Sequence, residues 1–168
     1  SNDVIARAIA PLLARRLDAT VIVDNKPGAG GTIGADLVAK GPKDGSMLLL
    51  TSSSLLTAAA TQPKLPFDPL TSLAPVAMIG NGPMLLAVGA SAPWRTPAEL
   101  IADARARPGA LNYGTAGMGS IAHLSTELMA DAAGVRATHV PYKGAAPALL
   151  GLAGDQIQLM ITNYSSVA

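Results

Sequence analysis

Apolar residues at Ile5, Ile9, Leu12 or Leu13 and Leu17 repeat at helical spacing, with Arg7, Arg15 and Arg16 left for the wet side. This pattern predicts a helix over residues 3–17. Pro11 removes one backbone bond and predicts a bend within it. Residues 20–23, Thr-Val-Ile-Val, read as a short strand, and the glycine-rich run that follows reads as a loop. Thr32 is the expected cap of a helix that reaches about Lys40. Lys43, Asp44 and Gly45 then turn the chain into a strand at 47–51.

Further along, 74–79 and 84–88 are two apolar strand candidates separated by a hinge or crossover at 80–83. Thr96, Pro97 and Glu99 spell a capping box with proline at the first helical position, and Pro108-Gly109 supplies the stop. Strands are predicted at 111–113 and 137–140, helices at 120–133 and 145–153, and a buried strand at 157–162. Short strands alternating with helices of roughly ten residues or more predict an α/β protein with largely parallel sheets.

On this scaffold the segment from Tyr113 to Leu124 carries the most chemistry. Gly114, Gly117 and Gly119 let the backbone turn tightly between a strand and a helix that opens at Ser120. The first N–H groups of a helix have no partner within it and carry the positive end of its dipole, so a carboxylate or phosphate fits there without an arginine. A strand-to-helix turn capped by Ser120 that binds nothing fits the same letters. His123 lies one turn inside the helix and is read either as facing the loop or as a satisfied histidine. Ser52, Ser53 and Ser54 follow a predicted strand at the end where open α/β sheets present ligand loops. Tyr142 and Lys143 are secondary polar candidates, and Lys64, Arg95, Arg105 and Arg107 read as surface charges.

Gly28, Gly30 and Gly34 imitate a dinucleotide fingerprint, but the four residues from Asp24 to Pro27 make the preceding turn too long. No cofactor is expected, and these glycines are read as a structural turn or a pocket wall. His123 and His139 have no carboxylate at ligand spacing, and no nucleophile stands beside a base, so neither a metal site nor an enzyme is expected.

Composition narrows the field. Aromatic residues make up 3% of the chain, leaving few stacking platforms for bases, and twelve Lys and Arg against eleven Asp and Glu form no basic run, which argues against nucleic acid. With no cysteine, disulfides and thiolate metal sites are excluded. The uncharged run 69–94 is interrupted by Pro69, Pro75, Pro83 and Pro93 and is read as strands and turns. No charged segment followed by an apolar one opens the chain, so no signal peptide is expected within it.

Five motifs stand in register: Val23 to Gly34, Lys43-Asp44-Gly45, Leu73 to Val76, Tyr113 to Ser120, and His139 to Gly144. In this order they resemble the Bug-type receptors, the extracytoplasmic solute-binding proteins of tripartite tricarboxylate transporters. The resemblance implies a type II-like periplasmic-binding-protein fold, α/β, with two lobes of mostly parallel sheets closing over a small carboxylate. It places residues 1–82 in part of lobe 1 and residues 83–168 in part of lobe 2, each lobe incomplete in this chain. Carried over by motif, the ligand-binding residues are Thr115, Ala116, Gly117, Gly119, Ser120 and His123 on the second lobe and Ser53 on the first. The expected partners are a small mono- or dicarboxylate and the membrane permease subunits, in the periplasm. Incomplete lobes would expose sheet edges, which predicts homo-oligomerisation, and a non-binding truncated relative that acts by such association is the alternative.

Overall fold

The computed structural model describes residues 2–62 and 64–167. Its centre is a four-stranded sheet in the order β1-β4-β2-β3, built from β1 (Met84–Val88), β2 (Asn112–Thr115), β3 (Thr138–Pro141) and β4 (Leu159–Asn163). The β2–β3 and β2–β4 pairings are parallel, whereas β1 runs antiparallel to β4 and pairs Leu86 with Ile161. The fold is therefore α/β with a mostly parallel sheet, as its sequence pattern predicts.

Helices cover both faces of this sheet, and strand alternation decides which residue meets which. On one face Leu159, Tyr113, Leu111, Leu86 and Val88 pack with Trp94, Leu100 and Ala104, the last two on α4 (Pro97–Ala106). On the other, Met160, Ile157 and Ala87 pack with Ala148 and Leu152 of α6 (Ala145–Ala153). The Thr96–Glu99 capping box forms as predicted, and Trp94 donates from Nε1 to Asp103 Oδ2 at 3.1 Å. α5 (Ile121–Ala133) closes at Gly134 in the left-handed conformation, where Arg105 donates to the carbonyl of Ala133. Arg107 pairs with Asp103 at the end of α4.

Residues preceding β1 contribute α1 (Asn2–Leu17), a 3-10 turn at Ala29–Gly31, α2 (Thr32–Lys40) and α3 (Ser54–Thr61). α1 continues through Pro11. The three strands predicted at 20–23, 47–51 and 74–79 do not form: these segments join no ladder, and Ile22 is 80% exposed and Val76 83%. A strand is held by its neighbour's N–H and C=O groups, and none lies alongside these segments among the described residues. Two further corrections concern helix starts. Gly31, with a left-handed φ of 96°, precedes α2, while Thr32 sits inside the first turn and donates its hydroxyl to Ala29 O at 2.9 Å. The stretch after Ser53, read as a ligand loop, is the Ala- and Leu-rich helix α3, whose composition favours a helix. Among the described residues no helix is long and apolar enough to cross a membrane.

Candidate functional site

β2 extends to Thr115, so the loop before α5 comprises only residues 116–120. Its shape depends on two glycines with positive φ, Gly117 at 127° and Gly119 at 75°, which an L side chain adopts only under strain. Thr115, fully buried, accepts the Gly117 N–H on Oγ1 at 3.2 Å. Ser120 caps α5 as predicted, its Oγ accepting the His123 N–H at 3.3 Å while its own N–H reaches Gly117 O at 3.2 Å. The N–H groups of Ala116, Met118 and Ala122 have no acceptor among the described residues.

Two segments from before β1 close on this loop. α3 brings Thr57, whose hydroxyl donates to Gly119 O at 2.7 Å, and Ser54, whose Oγ accepts the Ile121 N–H at 3.2 Å. The 3-10 turn at Ala29–Gly31 lies so close that a Cβ on Gly117 would stand 3.1 Å from Gly30 N, and one on Gly119 would strike Thr61 Oγ1. Gln62 donates to Ala29 O at 3.4 Å and ties turn and helix together. The N-termini of α3 and α5 thus meet at one place, and both present partial positive charge there. Such a junction can hold an anion through backbone donors alone.

Behind the loop three rings lie nearly parallel. His139 stacks on Tyr113 at 4.9 Å between centroids and on His123 at 4.2 Å. His139 Nε2 lies 2.7 Å from Thr115 Oγ1, and His123 Nδ1 accepts the Gly119 N–H at 3.3 Å. Tyr113 donates its hydroxyl to Glu127. Burial, with the neighbouring His123 adding to it, lowers the His139 pKa below the usual imidazole value. Burial, then the hydrogen bond to Glu127, holds the Tyr113 phenol well above its ordinary range.

Of the residues expected to bind ligand, Thr115, Ala116, Gly117, Gly119, Ser120 and His123 fall together in this junction. Ser53 stands exposed at the N-cap of α3, and it is Ser54 and Thr57 that make the contacts across to α5 and its loop. Tyr142 packs its ring over Gly151 in the α6 face of the core, and Lys143 is exposed. Gly28, Gly30 and Gly31, read as a structural turn or a pocket wall, form a turn with positive φ, and of the three Gly30 lies against the loop, where a Cβ would stand 3.1 Å from Met118 O. Sequence reading missed His139. Its signal lies in the parallel register that sets it beside Tyr113, a relation between strands rather than along one. Among the described residues no three His, Asp or Glu side chains gather to hold a metal ion. A cavity of about 370 Å³ lies elsewhere, lined by Val88, Ser91, Leu149, Leu152 and Asp155, where Ser91 donates to Asp155 at 2.6 Å.

The sequence profile described as tripartite tricarboxylate transporter family receptor matches residues 5–168. Protein BugT of Bordetella pertussis is 39% identical over 169 residues, covering 99% of this chain and 52% of BugT. An R. palustris protein solved with adipate superposes with a TM-score of 0.91 at 39% identity, covering 98% of this chain and 55% of its own. MatC from Rhodopseudomonas palustris with bound malate gives a TM-score of 0.84 at 27% identity, covering 99% of this chain and 57% of MatC. The chain spans about half the length of these relatives.

Proposed function

The chain belongs to the tripartite tricarboxylate transporter receptor family, and from that premise we propose that it serves a periplasmic receptor that captures a small mono- or dicarboxylate and hands it to the membrane permease subunits. The observation that carries this reading is the junction of the α3 and α5 N-termini with the glycine turn at Ala29–Gly31. It offers backbone donors and dipole ends, which suit a carboxylate without a lysine or arginine. Adipate and malate in two solved relatives are carboxylates of the expected class.

In this reading the N–H groups of Ala116 and Met118 face the ligand, Gly117 and Gly119 line the pocket with their backbone while their own N–H groups anchor the loop inward, Ser120 and Thr115 hold the loop in shape, and Ser53 adds a hydroxyl from the α3 side. Residues 1–82 are part of one lobe and 83–168 part of the other, and ligand draws the lobes together by as much as it binds the closed form better. Binding at a hundredfold excess over the dissociation constant would stabilise the fold by roughly 2.7 kcal/mol. Thermal shift and calorimetric titration against a carboxylate panel headed by adipate and malate test it. The expected result is a raised melting temperature for at least one member, lost in Gly117→Leu. A folded sample whose melting temperature no carboxylate moves would overturn it.

Association in place of ligand capture is the second reading, favoured by the exposure of Ile22, Val76 and Met78 in unpaired extended segments. Light scattering separates the two: a stable oligomer that ignores every carboxylate supports association.

A further inference from the structure

Gly117 and Gly119 each direct the backbone N–H inward, Gly119 onto an imidazole and Gly117 onto a hydroxyl that touches a second imidazole. Gly119 donates to His123 Nδ1 at 3.3 Å, which requires that nitrogen to be unprotonated. Gly117 donates to Thr115 Oγ1 at 3.2 Å, and that hydroxyl lies 3.2 Å from Gly117 O and 2.7 Å from His139 Nε2, which joins the imidazole to the loop. The two rings lie face to face with centroids 4.2 Å apart and planes 20° apart. Protonating either therefore places a cation against its neighbour, and protonating His123 also turns the acceptor for Gly119 into a donor.

We propose that His123 and His139 are positioning residues of the carboxylate loop, which hold Gly117 and Gly119 in binding geometry only while both rings are neutral. Carboxylate affinity then falls as pH drops through the imidazole range, opposite to what a cationic histidine touching the ligand would give. The proposal rests on the carboxylate-receptor reading for its ligand, although the loop contacts themselves do not. Two other titratable groups adjoin the stack among the described residues. Tyr113 stays neutral through this range, and Glu127, which receives the Tyr113 hydroxyl, opposes the lowering at His139 only as its smallest influence. α3 faces the loop with Ser54 and Thr57, which do not titrate.

Adipate affinity measured by calorimetry between about pH 7.5 and about pH 5.5 tests this, with protonation of the adipate itself shared by every variant compared. His123→Phe keeps a ring in the stack but removes the acceptor, and should weaken binding about fivefold at neutral pH. His123→Asn offers an oxygen near the Nδ1 position and does not titrate, so it should bind better than His123→Phe and show a flatter pH profile than the unaltered protein. A His123→Asn profile as steep as the unaltered one, or affinity that rises as pH falls, overturns the proposal while leaving carboxylate capture intact. Absence of binding by every carboxylate of the panel at neutral pH overturns the receptor reading instead, and a panel member other than adipate that binds takes its place in the pH series. NMR of the unaltered protein then decides the positioning role without ligand. The Gly119 amide resonance should move together with the His123 ring resonances as pH falls, and an amide that stays still while those move overturns the role.

Discussion

Residues 20–23 and residues 159–163 are both short apolar runs bounded by turn signals, yet the first stays an unpaired segment and the second becomes the buried interior strand β4. The difference lies outside the segments themselves. β4 has β1 on one side, β2 on the other and a helical layer over each face, so its backbone groups are paired and its side chains covered. Residues 20–23 have α1 nearby, with Ile22 and Val23 lining an open groove beside Ala10 and Ala14, but no ladder. The contrast extends to the two regions. Residues before β1 place Ala10, Thr32, Ala35 and Ala58 among the buried side chains, whereas residues 86–160 build the two core clusters. An apolar pattern specifies a face to be buried; it does not supply the partner.

The largest expected effect sharpens that contrast. Ile157→Ala, at a fully buried position, should cost about 2–5 kcal/mol of unfolding free energy, and Ile22→Ala, 80% exposed, should stay within about 0.5 kcal/mol. Denaturant titration of both variants checks this, and equal losses would mean that residues 20–23 are buried in solution.

Smaller in size is the link between the regions. Thr57→Val removes the 2.7 Å hydrogen bond to Gly119 O and should cost about 1 kcal/mol while weakening carboxylate binding. The same titration together with calorimetry tests it; no change in either would separate α3 from the loop.

The smallest effect is a pH dependence of stability confined to the half that holds the sheet. Because the folded His139 pKa lies below the ordinary imidazole value, the unfolded chain takes up a proton first as pH falls. Stability is thus full above about pH 6.5 and declines below it. Thermal melts across this window should show that decline, reduced in His139→Phe, whose ring keeps the stack without titrating.

Much of the second region was legible along the chain. The capping box from Thr96 to Glu99, Ser120 as the cap of α5, the span of α6 and the strand at 84–88 depend on residues a few positions apart, and local chemistry decides them. The glycine loop was legible for the same reason, since a turn between strand and helix needs positive φ at Gly117 and Gly119. α3 was missed because three serines after an apolar run suggest a loop as readily as a cap. Ser54 and Thr57 owe their place at the site to contacts with residues more than sixty positions away. No spacing within either segment announces such a contact.

By itself the sequence determined the main helices apart from α3, most of the turns, the α/β class and the position of the glycine loop before α5, because each follows from periodicity, capping or backbone freedom over a short range. Only the tertiary structure decided which apolar runs became strands, since a ladder needs a neighbour. It also decided that His139 stands behind the loop with His123. Parallel pairing of β2 with β3 sets His139 opposite Tyr113, and α5 lays His123 on the same stack.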